Sequence, residues 1–190
     1  MKKSLVFLTM LLTLLLFPGT ASAEVSERSV NLIIGQSEAQ VNGTKVTMSA
    51  PAQVIDGRTL VPLRFISEAF GCEVQWNANL RTATVILVDQ TIEVPIDQNY
   101  AIINGDKTAV EVPAQLINGS TMVPLRFISE NLGAKVDYDQ ATQSIAISMN
   151  TYINKNQGFQ MVLPAGWVIE EENDEGVKIS VDKAMYGQVA

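Results

Sequence analysis

From Val61 to Glu68 the chain reads Val-Pro-Leu-Arg-Phe-Ile-Ser-Glu, and 62 residues later, from Val123 to Glu130, it reads the same. The offset holds without a gap on either side of the octapeptide. Asn42-Gly43 falls on Asn104-Gly105, Pro51-Ala52-Gln53 on Pro113-Ala114-Gln115, Gly57 on Gly119 and Gly71 on Gly133. Trp76 falls on Tyr138, and Val85 on Ile147. Self-similarity at a fixed period means that one supersecondary unit is used twice, and every other reading has to respect it.

The octapeptide itself predicts a short helix. Proline at the first helical position loses only an amide hydrogen that would be unsatisfied anyway, and its φ suits the helix. Leu63, Ile66 and Phe70 follow as one apolar stripe, matched by Leu125, Ile128 and Leu132. Gly71 and Gly133 stand where a left-handed residue ends a helix. Two turns of helix are unstable alone, so the stripe has to pack on something. The flanks supply strands. Asp56-Gly57 and Asn118-Gly119 are two-residue hairpin signals between apolar runs. Residues 73–76 and 82–88 form a second run pair around the polar turn at 77–81. The unit reads hairpin, short helix, hairpin. The expected fold class is α+β: two tandem repeats of antiparallel β-hairpins, each with one short α-helix packed on its sheet, then a short β-rich tail.

The first 23 residues have the pattern of a secretory leader. Lys2 and Lys3 precede an apolar stretch over residues 5–17, Pro18-Gly19 break it, and Ala21-Ser22-Ala23 offers a cleavage site. The apolar run of about 13 residues is short against the roughly 20 needed to span a bilayer. The reading is a secreted protein, extracellular or cell-wall-associated, with no stable membrane insertion after cleavage. Loss of the leader's two lysines takes the net charge from −7 to −9. An acidic chain with few basic clusters argues against nucleic acid as a partner. Cys72 is the one cysteine, so no disulfide can form within the chain. Its counterpart Ala134 points to a small apolar residue beside a helix end; the alternative is a bridge to another chain.

Residues 28–88 and 90–150 are read as the two repeats, packed as one body because almost no linker separates them. Residues 151–190 are not a third copy. They open on a polar, loop-like stretch at residues 151–157, then carry three strand-like runs and the acidic run around Glu170, with too little apolar material for a core of their own. The tail is expected either to be poorly ordered or to dock its unpaired strands on the repeats or on a second molecule, with Trp167 as anchor.

The motifs, in order and twice over, resemble the N-terminal domain of copper amine oxidases, a stalk-type family. These motifs are Asn-Gly, then Pro-Ala, then Val-Pro-Leu-Arg-Phe-Ile-Ser-Glu, then Gly-x-x-Val-x-Trp/Tyr. The resemblance covers about residues 30–150 and implies small antiparallel sheets carrying a helix, in exported proteins mostly of Gram-positive type bacteria. It implies no activity, because in the oxidases this domain is an appendage and the copper and quinone lie elsewhere. More weakly, Gly158-Phe159, Met161, Leu163-Pro164 and Gly166-Trp167 resemble the start of a PsbP-like domain, of which the tail would be a part.

Chemistry is sparse. The chain contains no histidine, which removes imidazole metal sites and the histidine-dependent triads. A single cysteine removes thiolate metal sites and dithiol redox work. No cofactor, metal or catalytic residue is expected, and the protein is read as a non-enzyme. Asp137 and Asp139 sit at a strand end where Asp favours local turn bonds. The acidic run at residues 170–175 reads as a solvated loop, with weak calcium binding as the alternative. The candidate structural or recognition residues are Arg64, Glu68, Arg126, Glu130, Trp76, Tyr138 and Trp167. Each arginine has a glutamate at i+4, and its planar fork suits a fixed partner; recognition of a ligand carboxylate is the other reading. The three aromatics either pack across strand pairs or form a sugar-stacking surface. The function expected is that of a structural or binding module, with cell-wall polysaccharide or another envelope protein as partner. The alternatives are a peptidoglycan or polysaccharide binder, or the remnant of a carboxylate-dependent extracellular enzyme.

Overall fold

The computed structural model describes residues 24–88, 90–155, 158–163, 167–173 and 176–181. The expected leader over residues 1–23 and the corner at 164–166 lie outside them. In chain order the first copy contributes β1 (Glu24–Ile33), β2 (Glu38–Val41), β3 (Thr44–Thr47), β4 (Gln53–Ile55) and β5 (Arg58–Pro62). It continues with α1 (Leu63–Ala69), β6 (Glu73–Asn77) and β7 (Thr82–Leu87). The second copy repeats the series as β8 (Gln90–Pro95), β9 (Tyr100–Ile103), β10 (Asp106–Ala109), β11 (Gln115–Ile117) and β12 (Ser120–Pro124). Then come α2 (Leu125–Asn131), β13 (Lys135–Asp139) and β14 (Ser144–Asn154). The tail adds β15 (Phe159–Leu163), β16 (Trp167–Asn173) and β17 (Gly176–Val181). The protein is thus mostly antiparallel sheet with two short helices.

The local structure follows the turn chemistry. Asn42-Gly43, Asp56-Gly57, Asn104-Gly105 and Asn118-Gly119 all have two successive positive φ values, the type I′ geometry that matches strand twist. Asn42 and Asn104 do more. Each side-chain oxygen accepts from the backbone N–H of Ser29 or Thr91, at 2.8 Å in both copies. The helices end alike. Gly71 (φ +81°) donates its N–H to the Glu68 carbonyl, and Cys72 donates to Ser67; Gly133 and Ala134 do the same to Glu130 and Ser129. This is the Schellman closure, whose second residue beyond the cap packs back on the helix. Cys72 and Ala134 are accordingly buried. The helix starts differ from expectation by one residue. Pro62 and Pro124 occupy the N-cap, with extended φ and ψ, and still pair in strands.

The pairing between copies departs from two self-contained hairpin–helix–hairpin units. β5 and β12 run antiparallel with Val61 opposite Val123, Pro62 opposite Met122 and Leu60 opposite Pro124. Equivalent residues thus face each other about a pseudo-two-fold axis, in a four-stranded sheet of order β11-β12-β5-β4. The two larger sheets mix the copies in the same way. One runs β10-β9-β8-β7-β6 and the other β13-β14-β1-β2-β3. Within the first, Val85 lies opposite Ile92; in the second the equivalent residues Ile147 and Val30 lie opposite each other. In the first sheet the joint is made by the chain running on from β7 to β8. In the second it is made between the two ends of the repeat region.

One large apolar core joins the two copies. It contains Val30, Leu63, Ile66, Phe70 and Val85 together with Ile92, Leu125, Ile128, Leu132 and Ile147. A second, smaller cluster of Ala50, Leu60, Val112 and Met122 is itself two-fold symmetric. The central sheet is buried on both faces, since Val61 and Val123 belong to the first cluster and Leu60 and Met122 to the second. Ser67 and Ser129 are fully buried on the helices, and neither hydroxyl has a hydrogen-bond partner among the described residues.

The tail begins inside the body. β14 runs unbroken through residue 150, and its outer half pairs with β1 on one side and β15 on the other. Residues 151–154, which read as loop in the sequence, are strand. Tyr152 and Leu163 are buried, and Val162 covers Gly133 so closely that a Cβ there would lie 2.9 Å from its Cγ1. Tyr152 and Leu163 therefore fasten the tail, whereas Trp167 is half-buried on β16, which pairs with β17 in a separate two-stranded sheet.

Three outcomes test this packing. Ile66→Ala and Ile128→Ala, both fully buried and related by the pseudo-two-fold, should each cost about 2–5 kcal/mol, and by similar amounts, in chemical denaturation. Ser67→Ala removes an unpartnered buried hydroxyl, so the same measurement should find it neutral to stabilising by about 1 kcal/mol. Burial pushes the Cys72 thiol up to about 11, against a smaller opposing effect of Arg28. The thiolate is the reactive form, so a disulfide-exchange reagent at pH 8 should leave the folded protein unmodified and label it only on unfolding.

Candidate functional site

Two open grooves lie on the body, and the pseudo-two-fold axis relates most of their lining residues. The larger, of about 590 Å³, is lined by Val54, Arg58 and Thr59 from the first copy and by Glu111, Leu125, Arg126, Glu130 and Tyr138 from the second. The other, of about 500 Å³, is lined by Leu116, Ser120 and Thr121 from the second copy and by Ser49, Leu63, Arg64, Gln75 and Trp76 from the first. Each groove thus takes a hairpin from one copy and a helix start plus an edge-strand aromatic from the other. The exchange of strands that closes the fold is what creates them.

The aromatics are not packed away. Trp76 is 43% exposed and Tyr138 48%, and across their grooves Leu116 and Val54 are 52% and 58% exposed. Large apolar side chains in solvent carry information when they converge on a concavity. Trp76 and Val74 share a face of β6 by strand alternation, and both line the groove. The bland reading, in which each aromatic packs across its strand pair, accounts for only part of the ring surface.

The grooves differ in polar lining. In the Tyr138 groove Arg58 donates to Glu111 across the two copies. That hydrogen bond, aided by the charge, holds the Glu111 carboxyl below its ordinary range and the Arg58 guanidinium above its own. In the Trp76 groove the equivalent positions are Ser120 and Ser49, whose hydroxyls hydrogen-bond at 2.9 Å. An ion pair in one groove stands where a neutral pair stands in the other. Reading the two halves against each other shows the substitution as a matched set, which was the signal available for these four residues. Val54 and Leu116 left no such mark, because exposure is a tertiary property.

The arginines singled out in the sequence do reach their i+4 glutamates. Arg64 lies 3.2 Å from Glu68 and Arg126 lies 3.7 Å from Glu130, with all four side chains more than half exposed. They are exposed surface pairs, and such pairs contribute little to stability. Arg64 joins Trp76 in one groove, and Arg126 and Glu130 join Tyr138 in the other; Glu68 is outside the lining, and so is Trp167.

The carboxylates considered for catalysis are held locally. Asp139 accepts from the Thr142 hydroxyl at 2.8 Å and from the Ala141 N–H at 2.8 Å, and the first of these leads the fall of its pKa. Asp137 pairs with Lys135 at 2.9 Å. Among the described residues no three of His, Cys, Asp and Glu come together as a metal site would require.

Comparison with known proteins agrees with the two-fold build. The family described as Copper amine oxidase N-terminal domain matches residues 18–85 and again residues 55–147, two overlapping spans consistent with tandem repeats. A "Protease inhibitor" of Brevibacillus choshinensis is 34% identical over 118 residues, which are 61% of this chain and 33% of that protein. The matched region thus spans about a third of that relative's length. Since the two spans together take in well over half of its residues, the chain belongs to the copper amine oxidase N-terminal domain family.

Proposed function

We propose that this protein is a non-enzymatic binding module of the extracellular face, which holds a macromolecular ligand along its paired grooves. The observation that carries the reading is the convergence of Trp76 with Leu116 and of Tyr138 with Val54, exposed at equivalent positions in two equivalent concavities. A catalytic module would concentrate titratable groups in its cleft. Here the charged side chains lining the grooves are Arg58, Glu111, Arg126 and Glu130 in one and Arg64 in the other, each held in an exposed ion pair. Membership in a family named for an appendage of the oxidases supports a non-catalytic role. A relative described as a protease inhibitor is compatible with one based on binding. The leader-like first 23 residues support export, and no described helix is long and apolar enough to cross a membrane.

A second reading, binding to cell-wall polysaccharide, is favoured by one feature. Trp76, 43% exposed, lines the same groove as the neutral hydroxyls of Ser49 and Ser120, and sugars stack on aromatic ring faces. The test of the module as such is retention of the purified protein on isolated Gram-positive cell walls bearing their envelope proteins. Trp76→Ala combined with Tyr138→Ala should abolish retention. Leu80→Ala, which removes a 70% exposed side chain outside both grooves, should not. Equal retention of the double variant would remove the grooves from the function.

A further inference from the structure

The Trp76 groove lies between two sheet edges. β6 ends the five-stranded sheet and β11 ends the central one. Their ladders run to β7 and β12, and residues 73–77 and 115–117 make no other backbone–backbone hydrogen bond among the described residues. Such a strand turns a row of N–H and C=O groups outward, a ready template for another extended chain. Proteins usually blunt an open edge with Lys, Pro or charge. β11 reads Gln115-Leu116-Ile117 and has none of these; β6 follows Glu73 with Val-Gln-Trp-Asn.

The charge pattern narrows the ligand. The chain carries −7 overall, yet the charged residue lining this groove is Arg64. Its partner Glu68 stands outside the lining, and an exposed i,i+4 pair is weak enough for a ligand carboxylate to compete. The Tyr138 groove, by contrast, is lined by Glu111 and Glu130 as well as its two arginines, so it disfavours an acidic ligand.

We infer that the Trp76 groove takes an extended polypeptide segment, which adds a strand to one of the two open edges bounding it. The segment sets an apolar side chain against Trp76 and Leu116 and an acidic one against Arg64. The inference rests on the binding role proposed above and names its ligand class. A glycan would use the indole face and the serine hydroxyls but leave the edge amides unanswered. A polypeptide meets the amides with its main chain and the apolar pair with alternate side chains.

The probe is a linear peptide selected on the full-length protein from a displayed random library, then synthesised in two forms, one N-methylated at alternate amides. Hydrogen exchange should protect amides within residues 73–77 or 115–117 and leave β4 and β13 unchanged. N-methylation and Trp76→Ala should each weaken binding about tenfold, the scale of losing an aromatic anchor. Arg64→Gln should remove a preference for acidic peptides. Protection confined to other strands, or equal affinity of the methylated peptide, overturns the inference. So does a neutral chitin tetrasaccharide that shifts the Trp76 emission when no selected peptide protects either edge. That result would leave the binding module standing with a sugar as ligand, whereas failure of the module itself shows in the wall-retention variants.

Discussion

Everything in this fold depends on the antiparallel pairing of β5 with β12 around Val61 and Val123. Because equivalent residues face each other, that ladder sets a two-fold axis and fixes where the rest of each copy must go. Pro62 and Pro124 then act at the ends of this short ladder. Each lacks the N–H needed to extend it and has a φ suited to start a helix. The two helices leave the sheet at symmetric points, and their stripes of Leu63, Ile66 and Phe70, and of Leu125, Ile128 and Leu132, meet in one core. Burial of this apolar surface supplies the favourable free energy that helices of two turns cannot supply for themselves.

The exchange of strands between copies has a functional consequence. Neither groove could exist in one copy alone, because the hairpin bearing Val54 or Leu116 comes from the half that does not supply the facing helix and aromatic. Duplication therefore gave two sites, and each was free to change. The Arg58–Glu111 and Ser120–Ser49 pairs are the visible result: the same positions, one bonded by charge and the other by neutral hydroxyls. The backbone framework stays constant under both, held by the asparagine side chains at 42 and 104 and by the glycines that close the helices.

Much of this was legible in the sequence. The repeat, the four Asn-Gly and Asp-Gly hairpins, the helix with its glycine end and the burial of Cys72 all rest on local chemistry. Turn type and capping are decided within a few residues of each other. The groups that form the site were legible one at a time: Trp76 with Tyr138, and Arg64 with Arg126, stood out by recurrence. Their grouping into grooves was not, and neither were Val54 and Leu116, whose exposure depends on which faces the sheets cover. The start of the tail, residues 151–154, was misread as loop for the same reason. Thr151 and Asn154 look like loop residues, yet Tyr152 between them is buried because β14 continues between β1 and β15.

The sequence by itself determined the unit, its turns, its helix and the fact of two copies, since periodicity and turn residues act over short spans of chain. Only the tertiary structure decided which copy each strand joins. The hydrophobic pattern of β1 suits any partner with the right register. It pairs with β2 of its own copy on one side and takes β14 of the other copy on the second side, because closing the second large sheet across the pseudo-two-fold buries Val30 against Ile147, as β7 and β8 bury Val85 against Ile92. Burial of non-directional apolar surface selects that closure, and the grooves follow from it.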